Sequence, residues 1–346
     1  MNSKIKVSVV GGSGYTGVEL LRLLIGHPNV IIHEITSRND AGKLVSEIYP
    51  SLRGCLPHYF VDPDKADLKK ADLVFFATPN GIAMNYVTDL LENGVKVIDL
   101  AADFRIQDVA IWEKWYEMKH SAVKELKSAV YGLPELNREA IKQAQLVANP
   151  GCYPTAIQLA LIPLIKSNLI NTETIIADAK SGISGAGKKT ETQFLMSEAS
   201  ENFKAYSLKG HRHLPEIEEN LKSISSNNKI KLTFVPHLLP MVRGIHATLY
   251  VDCIKDFDPS VIFNDFYKDE LFVDVMESGS CPETKSVRGS NVCRLSFYKI
   301  PETNRLVILS VIDNLVKGAA GQALQNMNIM MGWPESAGLD LIPLHP

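Results

Sequence analysis

Along the first 150 residues the apolar positions switch period repeatedly. Residues 7–10 form a short, mostly apolar run. Val18, Leu21 and Ile25 then recur at helical spacing, and that stretch stops at Gly26-His27-Pro28. Residues 31–36, 73–77 and 95–100 read as further strands, the last two apolar enough to be buried. Apolar runs alternating with helical periods predict βαβ units, and so an α/β fold with a doubly wound parallel sheet covered by helices. The second half reads differently. Residues 175–179, 231–235, 246–252, 294–298 and 305–312 look like strands, many joined by short turns, which predicts a largely antiparallel sheet in an α+β arrangement. Helices are expected over 191–200 and 215–224, and a last one, rich in small residues, over 317–331. No internal repeat or low-complexity linker separates the halves, so the join is compact and lies close to Cys152.

Composition narrows the class. The chain has 346 residues, long for one ordinary domain and sufficient for two. It is 45% hydrophobic and 22% charged, as expected of a soluble globular protein. A net charge of −3 offers no basic footprint for nucleic acid. No apolar run reaches the length of a membrane span. Met1-Asn-Ser-Lys-Ile-Lys6 runs directly into a strand, so no secretory leader is expected. Five cysteines (Cys55, Cys152, Cys253, Cys281, Cys293) are scattered, odd in number and never spaced C-x-x-C. Neither a metal site nor a redox pair is expected, and a reducing, cytoplasmic setting fits best.

One of those cysteines stands in a telling place. An apolar run ends in Asn149-Pro150-Gly151, Cys152 follows, and Tyr153-Pro154-Thr155 opens a helix-like stretch. Strand, sharp turn, cysteine, helix is the reading, with Pro154 tolerated in the first turn. A thiol there faces the positive end of a helix dipole and unpaired N–H groups, which favour the nucleophilic thiolate. The bland alternative is a buried structural cysteine. A nucleophile needs a base, and His211-Arg212-His213 lies just ahead of Pro215-Glu216 and another helix start. His237 and His246 are the next candidates. Arg212, Arg243 and Arg288 are the candidates for binding substrate anions, since a guanidinium grips carboxylate or phosphate in bidentate fashion. Ordinary surface ion pairs are their competing explanation.

Gly12-Ser13-Gly14-Tyr15-Thr16-Gly17 carries G-x-G-x-x-G between a strand and a helix, the context that gives this weak motif its meaning as a Rossmann dinucleotide site. Strand two ends in Thr36-Ser37-Arg38, with no Asp or Glu at the usual point for a ribose 2′-hydroxyl. A hydroxyl and a guanidinium suit a 2′-phosphate, so NADP is expected over NAD. A second glycine-rich stretch holds Ser181, Gly182, Ser184 and Gly185. It reads either as a loop over the cofactor or as a plain turn, and its spacing is not that of a P-loop.

Seven motifs in order resemble one family. They are Gly11-Gly-Ser-Gly-Tyr-Thr-Gly17, Ser37-Arg38-x-x-Ala-Gly-Lys43, Asn149-Pro-Gly-Cys-Tyr-Pro-Thr155, Ser181-Gly-x-Ser-Gly-Ala-Gly187, His211-x-His-x-Pro-Glu216, Pro240-Met-x-Arg-Gly244 and Asp313-Asn-Leu-x-Lys-Gly-Ala319. The chain resembles the N-acetyl-γ-glutamyl-phosphate reductases, relatives of aspartate-semialdehyde dehydrogenase, almost from end to end. The resemblance implies NADPH-dependent reduction of an acyl phosphate to N-acetylglutamate γ-semialdehyde in arginine biosynthesis. It implies a cofactor domain over 1–151, a catalytic and oligomerisation domain over 152–312, and a return of 313–346 to the first. It places the nucleophile at Cys152 and the acid/base in the His211/His213 pair, with His211 the first choice. Asn314 would lie near the nicotinamide, and Asn149, Glu216 and His237 would join the arginines around the substrate. A homo-oligomer, dimer or tetramer, is implied as well. A sister reductase acting on another acyl phosphate and a non-catalytic NADP-binding module are the competing readings; intact Cys152 and the histidine pair speak against the latter.

Overall fold

The computed structural model describes residues 4–188 and 190–344. The opening residues 1–3, the lysine at 189 and the last two residues lie outside it, and with them the start of the leader reading. Two compact units divide the chain: residues 1–150 with 319–340, and residues 151–318 with 341–346. The C-terminal segment expected as one return over 313–346 is thus shared: 313–318 and the last six residues go with the second unit.

The first unit is built on β1 (Ile5–Val10), β2 (Val30–Thr36), β3 (Phe60–Val61), β4 (Leu73–Phe76), β5 (Lys96–Asp99), β6 (Val130–Tyr131) and β7 (Leu146–Ala148). They form a seven-stranded sheet in the order β3-β2-β1-β4-β5-β7-β6. Every pairing is parallel. All of β4 is buried, as a strand covered on both faces must be. The Tyr15–Ile25 helix buries Leu20, Leu21, Leu23 and Leu24. Phe76, Phe104 and Trp112 anchor the core on the flank of β4 and β5. The Gly321–Met330 helix is buried along its whole length and packs on the Pro134–Gln143 helix. Asn326 fastens it by donating to the Gly132 carbonyl at 2.8 Å.

The second unit holds β8 (Ile175–Gly182), β9 (Lys204–Ala205), β10 (Leu232–Leu239), β11 (Ile245–Asp252), β12 (Val273–Val275), β13 (Cys293–Lys299) and β14 (Arg305–Ile312). Their order is β12-β13-β14-β11-β8-β10-β9. The pairings β11–β14, β11–β8, β13–β14 and β10–β9 are antiparallel. β10–β8 and β12–β13 are parallel, so the sheet is mixed. The parallel β8–β10 pair needs a crossover, and the His213–Ile224 helix lies on that connection. β8 and β11 alternate buried and half-buried side chains, the mark of a sheet covered on one face. The Cys152–Lys166 helix lies on the covered face against β11 and β14. It is buried from Tyr153 to Ile165 and accordingly apolar all round.

The helix expected over 191–200 is broken. A 3-10 turn (Thr192–Phe194) and one α turn (Met196–Ala199) flank an extended Leu195. Leu195 and Met196 are exposed, so no packed apolar face sustains a longer helix.

Candidate active site

The turn before Cys152 is pinned from both sides. Gly151 is extended and caps the helix, so Cys152 is its first residue, partly exposed and in no disulfide. The Gly151 N–H donates to Glu216 Oε1 at 2.8 Å. The Gly151 carbonyl accepts from the Thr155 hydroxyl at 2.9 Å and from the Thr155 N–H at 3.0 Å. Glu216 and Asn149, both expected as substrate ligands, are 0% exposed. Asn149 donates to the Ala319 carbonyl at 3.1 Å and accepts from Asn326 at 3.0 Å. Glu216 thus holds the backbone ahead of Cys152, and Asn149 joins the Ala319 carbonyl to the Asn326 side chain.

The histidine pair sits against the residue next to the cysteine. The Tyr153 ring meets His211 edge-on at 5.7 Å and His213 at 6.0 Å, centroid to centroid. Tyr206 and Phe234 complete an aromatic cage around His211 at 5.6 and 5.4 Å. His211 Nδ1 accepts the His213 N–H at 3.0 Å, which leaves the proton of the neutral ring on Nε2. Burial, aided by Arg212, pushes the His211 pKa down to about 4. His211 is thus a neutral ring that can donate through Nε2. His213 opens the Ile224-ending helix as its first residue. Sequence reading missed Tyr206. Its hydroxyl donates to that of Tyr153 at 3.3 Å. Burial foremost, with Cys152 contributing, pushes the Tyr206 phenol up to about 12. Tyr153 is pushed higher still, mainly by burial. Both phenols stay protonated donors at neutral pH.

The other candidate histidines are elsewhere. Along β10, Phe234 and Pro236 are buried whereas Val235 and His237 are half-buried, so period two turns His237 to the opposite face from Phe234. There its Nδ1 lies 3.0 Å from Asp178 Oδ1. Its cross-strand neighbour Lys180 is in turn opposite His246. The Tyr153 hydroxyl donates to the His237 carbonyl at 3.1 Å, but the side chains of His237, expected at the substrate, and His246, the reserve base, lie on the sheet face away from Phe234 and the His211/His213 pair.

Among the arginines, Arg212 and Arg288 are exposed. Arg243 is half-buried, with Nη2 3.1 Å from Asp313 Oδ1. Asp313, 0% exposed, also accepts the N–H groups of Leu315 at 2.8 Å, Val316 at 3.1 Å and Gly289 at 2.7 Å. One carboxylate thus ties Arg243, the loop after Arg288 and the turn after β14 together. Asn314 is held between the Gly244 N–H at 2.7 Å and the Ser184 hydroxyl at 2.9 Å. The 181–187 stretch is the end of β8 followed by a 3-10 turn, Ile183–Ala186. The N–H groups of Gly182, Ile183 and Ser184 donate to the carbonyls of Gly244, Met241 and Val242. The Ser181 hydroxyl donates to the Gly182 carbonyl, and Gly185 is exposed.

In the first unit, the Gly12–Gly17 turn has the form a dinucleotide phosphate requires. Gly14 caps the Tyr15–Ile25 helix with no side-chain bond, so its first N–H groups are open to an anion. A Cβ at Gly17 would stand 2.5 Å from the Gly11 carbonyl oxygen and 2.7 Å from the Gly12 Cα; only glycine allows this close strand–helix approach. Tyr15 is exposed and Thr16 half-buried at the open rim. The Ser13 and Ser37 hydroxyls are 2.7 Å apart, and Ser37 accepts the Asp40 N–H. Arg38 is exposed and forks onto Asp64 at 3.1 and 3.2 Å. The donor set fits a phosphorylated ribose: two hydroxyls, an exposed guanidinium and no carboxylate at the end of β2.

Two buried carboxylates after β5 also escaped the sequence reading. Asp99 accepts the N–H groups of Ala101 and Asp103; Asp103 accepts those of Gly81 and Met84. Burial, then Asp103, pushes Asp99 up to about 8. Arg105 beside them donates to the Asn149 carbonyl and the Leu100 carbonyl, each at 2.7 Å. The signal was available in Asp99-Leu-Ala-Ala-Asp-Phe-Arg105, a charged cluster directly after an apolar strand.

Comparison with known proteins fits this geometry. The family described as semialdehyde dehydrogenase, NAD binding domain, matches residues 6–144. Semialdehyde dehydrogenase, dimerisation domain, matches residues 152–314. The N-acetyl-gamma-glutamyl-phosphate reductase of Laribacter hongkongensis is 58% identical over 99% of this chain and 100% of that protein. That of Neisseria meningitidis serogroup C is 54% identical over 100% of both. Among solved structures, aspartate semialdehyde dehydrogenase II of Vibrio cholerae, complexed with ASA, superposes with a TM-score of 0.73 at 17% identity, covering 96% of this chain and 99% of that one; this likeness concerns the fold. Full-length identity at this level, together with both domain matches, means that the chain belongs to the N-acetyl-gamma-glutamyl-phosphate reductase family of semialdehyde dehydrogenases.

Proposed function

We propose that the protein reduces N-acetyl-γ-glutamyl phosphate to N-acetylglutamate γ-semialdehyde, releasing phosphate, in arginine biosynthesis. Its closely similar relatives carry the name of that activity. The observation that carries the reading is Cys152 at the first position of a buried helix, its turn clamped by Glu216 and Thr155. The thiolate attacks the acyl carbon; the C–S bond forms, the C–O bond to phosphate breaks, and phosphate leaves. NADPH, which the Gly12–Gly17 turn, Ser37 and Arg38 would hold, would supply the hydride for reduction of the resulting thioester to a thiohemiacetal. The thiohemiacetal oxygen then gives up its proton, the C–S bond breaks, and aldehyde and thiolate are released. A thioester accepts hydride where a carboxylate does not, which is why a covalent route is used.

His213 is the acid/base of this scheme: it takes the thiol proton, gives one to the thiohemiacetal oxygen and takes it back. His211, neutral and donating through Nε2, steadies a developing oxyanion. Arg243, braced by Asp313, and the exposed Arg288 and Arg212 take the phosphate and the α-carboxylate. Gly12, Ser13, Gly14 and Gly17 hold the pyrophosphate, with Tyr15 and Thr16 at the rim. Ser37 and Arg38 take the 2′-phosphate, with Arg38 leaving an exposed partner that holds it weakly. Ser181, Gly182, Ser184, Gly185 and Asn314 shape the nicotinamide end.

The protein is read as a cytoplasmic homo-oligomer. Cysteines in no disulfide suit a reducing compartment, and no described helix is long and apolar enough to cross a membrane. The test of the chemistry is Cys152→Ser. It is expected to keep fold and NADP⁺ binding and to lose nearly all reduction of the N-acetylated acyl phosphate. Substantial residual turnover, or wild-type activity only on a free-amine acyl phosphate, would overturn the reading.

A further inference from the structure

The turn that follows β14 comes to rest on the nucleophile. Val316–Ala320 is π-helical, a rare form that recurs at functional sites. A Cβ on Gly318 would lie 2.8 Å from the Cys152 Cβ, 3.2 Å from its Cα and 3.3 Å from Ile312 Cδ1. Real Cβ atoms essentially never come as close as 2.8 Å, and the two nearest atoms met belong to the stem of Cys152, which has no flexible tip to swing away.

We propose that Gly318 is a positioning residue for Cys152: its bare backbone sets where the stem of the nucleophilic side chain sits. This rests on the reading of Cys152 as the nucleophile. Neither partner can retreat easily. On one side, Gly318 donates to the Asp313 carbonyl at 3.0 Å. The Asp313 carboxylate, fully buried, holds the N–H groups of Leu315 and Val316. Lys317 next door is buried, with its Nζ 5.7 Å over the Phe272 ring. On the other side, Gly151 is clamped by Glu216 and Thr155. An added methyl must therefore displace Cys152 itself. The same Asp313 holds Arg243, so one node fixes both the thiol and a guanidinium proposed for the substrate. A displacement of the reacting atom matters, because a misplacement of about 1 Å can cost about a hundredfold in rate.

The experiment is Gly318→Ala, with Ile312→Val as the neighbouring packing control. Readouts are kcat and KM, the NADP⁺ dissociation constant by calorimetry, and the rate of Cys152 alkylation by iodoacetamide per folded molecule. Gly318→Ala is expected to lower kcat at least tenfold, to slow alkylation severalfold, and to leave NADP⁺ affinity within twofold. Ile312→Val, which removes a methyl from the same contact, should lower the melting temperature and leave alkylation unchanged. Wild-type alkylation in Gly318→Ala, equal slowing in Ile312→Val, or failure of Gly318→Ala to fold would each overturn the proposal. Alkylation needs no turnover, so this outcome is separate from that of Cys152→Ser, on which the nucleophile reading stands or falls.

Discussion

At the scale of single residues, the chemistry of the site depends on which atoms are already committed. His211 and His213 are indistinguishable in sequence, two imidazoles flanking an arginine. The backbone separates them: because His213 begins a helix, its N–H points at His211 Nδ1, and the three surrounding rings keep His211 neutral. His213→Asn is therefore expected to cost roughly 10²–10⁴-fold in kcat, the usual worth of an acid/base. His211→Asn, which keeps a side-chain donor, should cost much less and mainly at the hydride step. Steady-state rates and a primary deuterium isotope effect check this; equal losses in both variants would return the assignment to an undivided pair. Cys152, the glycines at 12, 14 and 17 and the His211/His213 pair were legible because each sits in a local pattern with its own physical cause. The contacts that Asn149, Glu216 and His237 make were not legible, for one reason. Their residue types suit substrate binding, but burial and strand parity, set by contacts far away in sequence, turn them to other work.

At the scale of elements, boundaries came from periodicity wherever packing agreed with it. The 305–312 strand is Arg305–Ile312 as expected. The 191–200 helix failed because helical spacing without a surface to bury against does not hold a helix. A different tie fastens the Gly321–Met330 helix, and it carries a pH dependence. His27 is 2% exposed. Its Nδ1 accepts the Asn29 N–H at 3.2 Å, and its Nε2 lies 2.9 Å from Asn328 Oδ1, so the neutral ring donates there. Trp333 packs on it at 5.4 Å. Burial lowers the His27 pKa, and the Asn328 bond opposes that only in part. The native state thus binds fewer protons than the unfolded chain below about pH 6.5. Stability from this contact is complete above that pH and is lost as pH falls toward the lowered native value. His27→Gln keeps a donor for Asn328 but cannot titrate. It should melt lower than the wild type at pH 8 and lose less melting temperature between pH 7 and 5. Parallel melting curves across that range would show that His27 is not the titrating contact.

At the scale of the whole molecule, two units were legible because a buried parallel sheet and a one-sided sheet write different patterns: unbroken apolar runs in β4, strict alternation in β11. Strand order was not legible. The parallel β8–β10 pair depends on a helix crossing between them, and nothing local in residues 231–235 records its partner. The alternation does leave a consequence for assembly. On the face of the second sheet away from the Cys152–Lys166 helix, Ile176, Tyr250 and Val307 are half-buried at consecutive cross-strand positions, and Leu309, two residues along from Val307 and opposite Thr248, is half-buried on the same face. An apolar patch in the middle of a seven-stranded sheet is the kind of surface a second copy covers. It lies within the residues matched by a domain described as a dimerisation domain. A two-fold contact would place the same residues of both copies together, so one introduced charge would be felt twice. Leu309→Arg is accordingly expected to convert the oligomer to monomer in sedimentation velocity at micromolar concentration. Far-ultraviolet circular dichroism and NADP⁺ binding should persist, since Leu309 is half-buried and lies off the buried side of its own strand. A wild-type protein that sediments as a monomer, or a Leu309→Arg variant that stays assembled, would remove this face from the assembly and leave the half-buried patch as an ordinary surface.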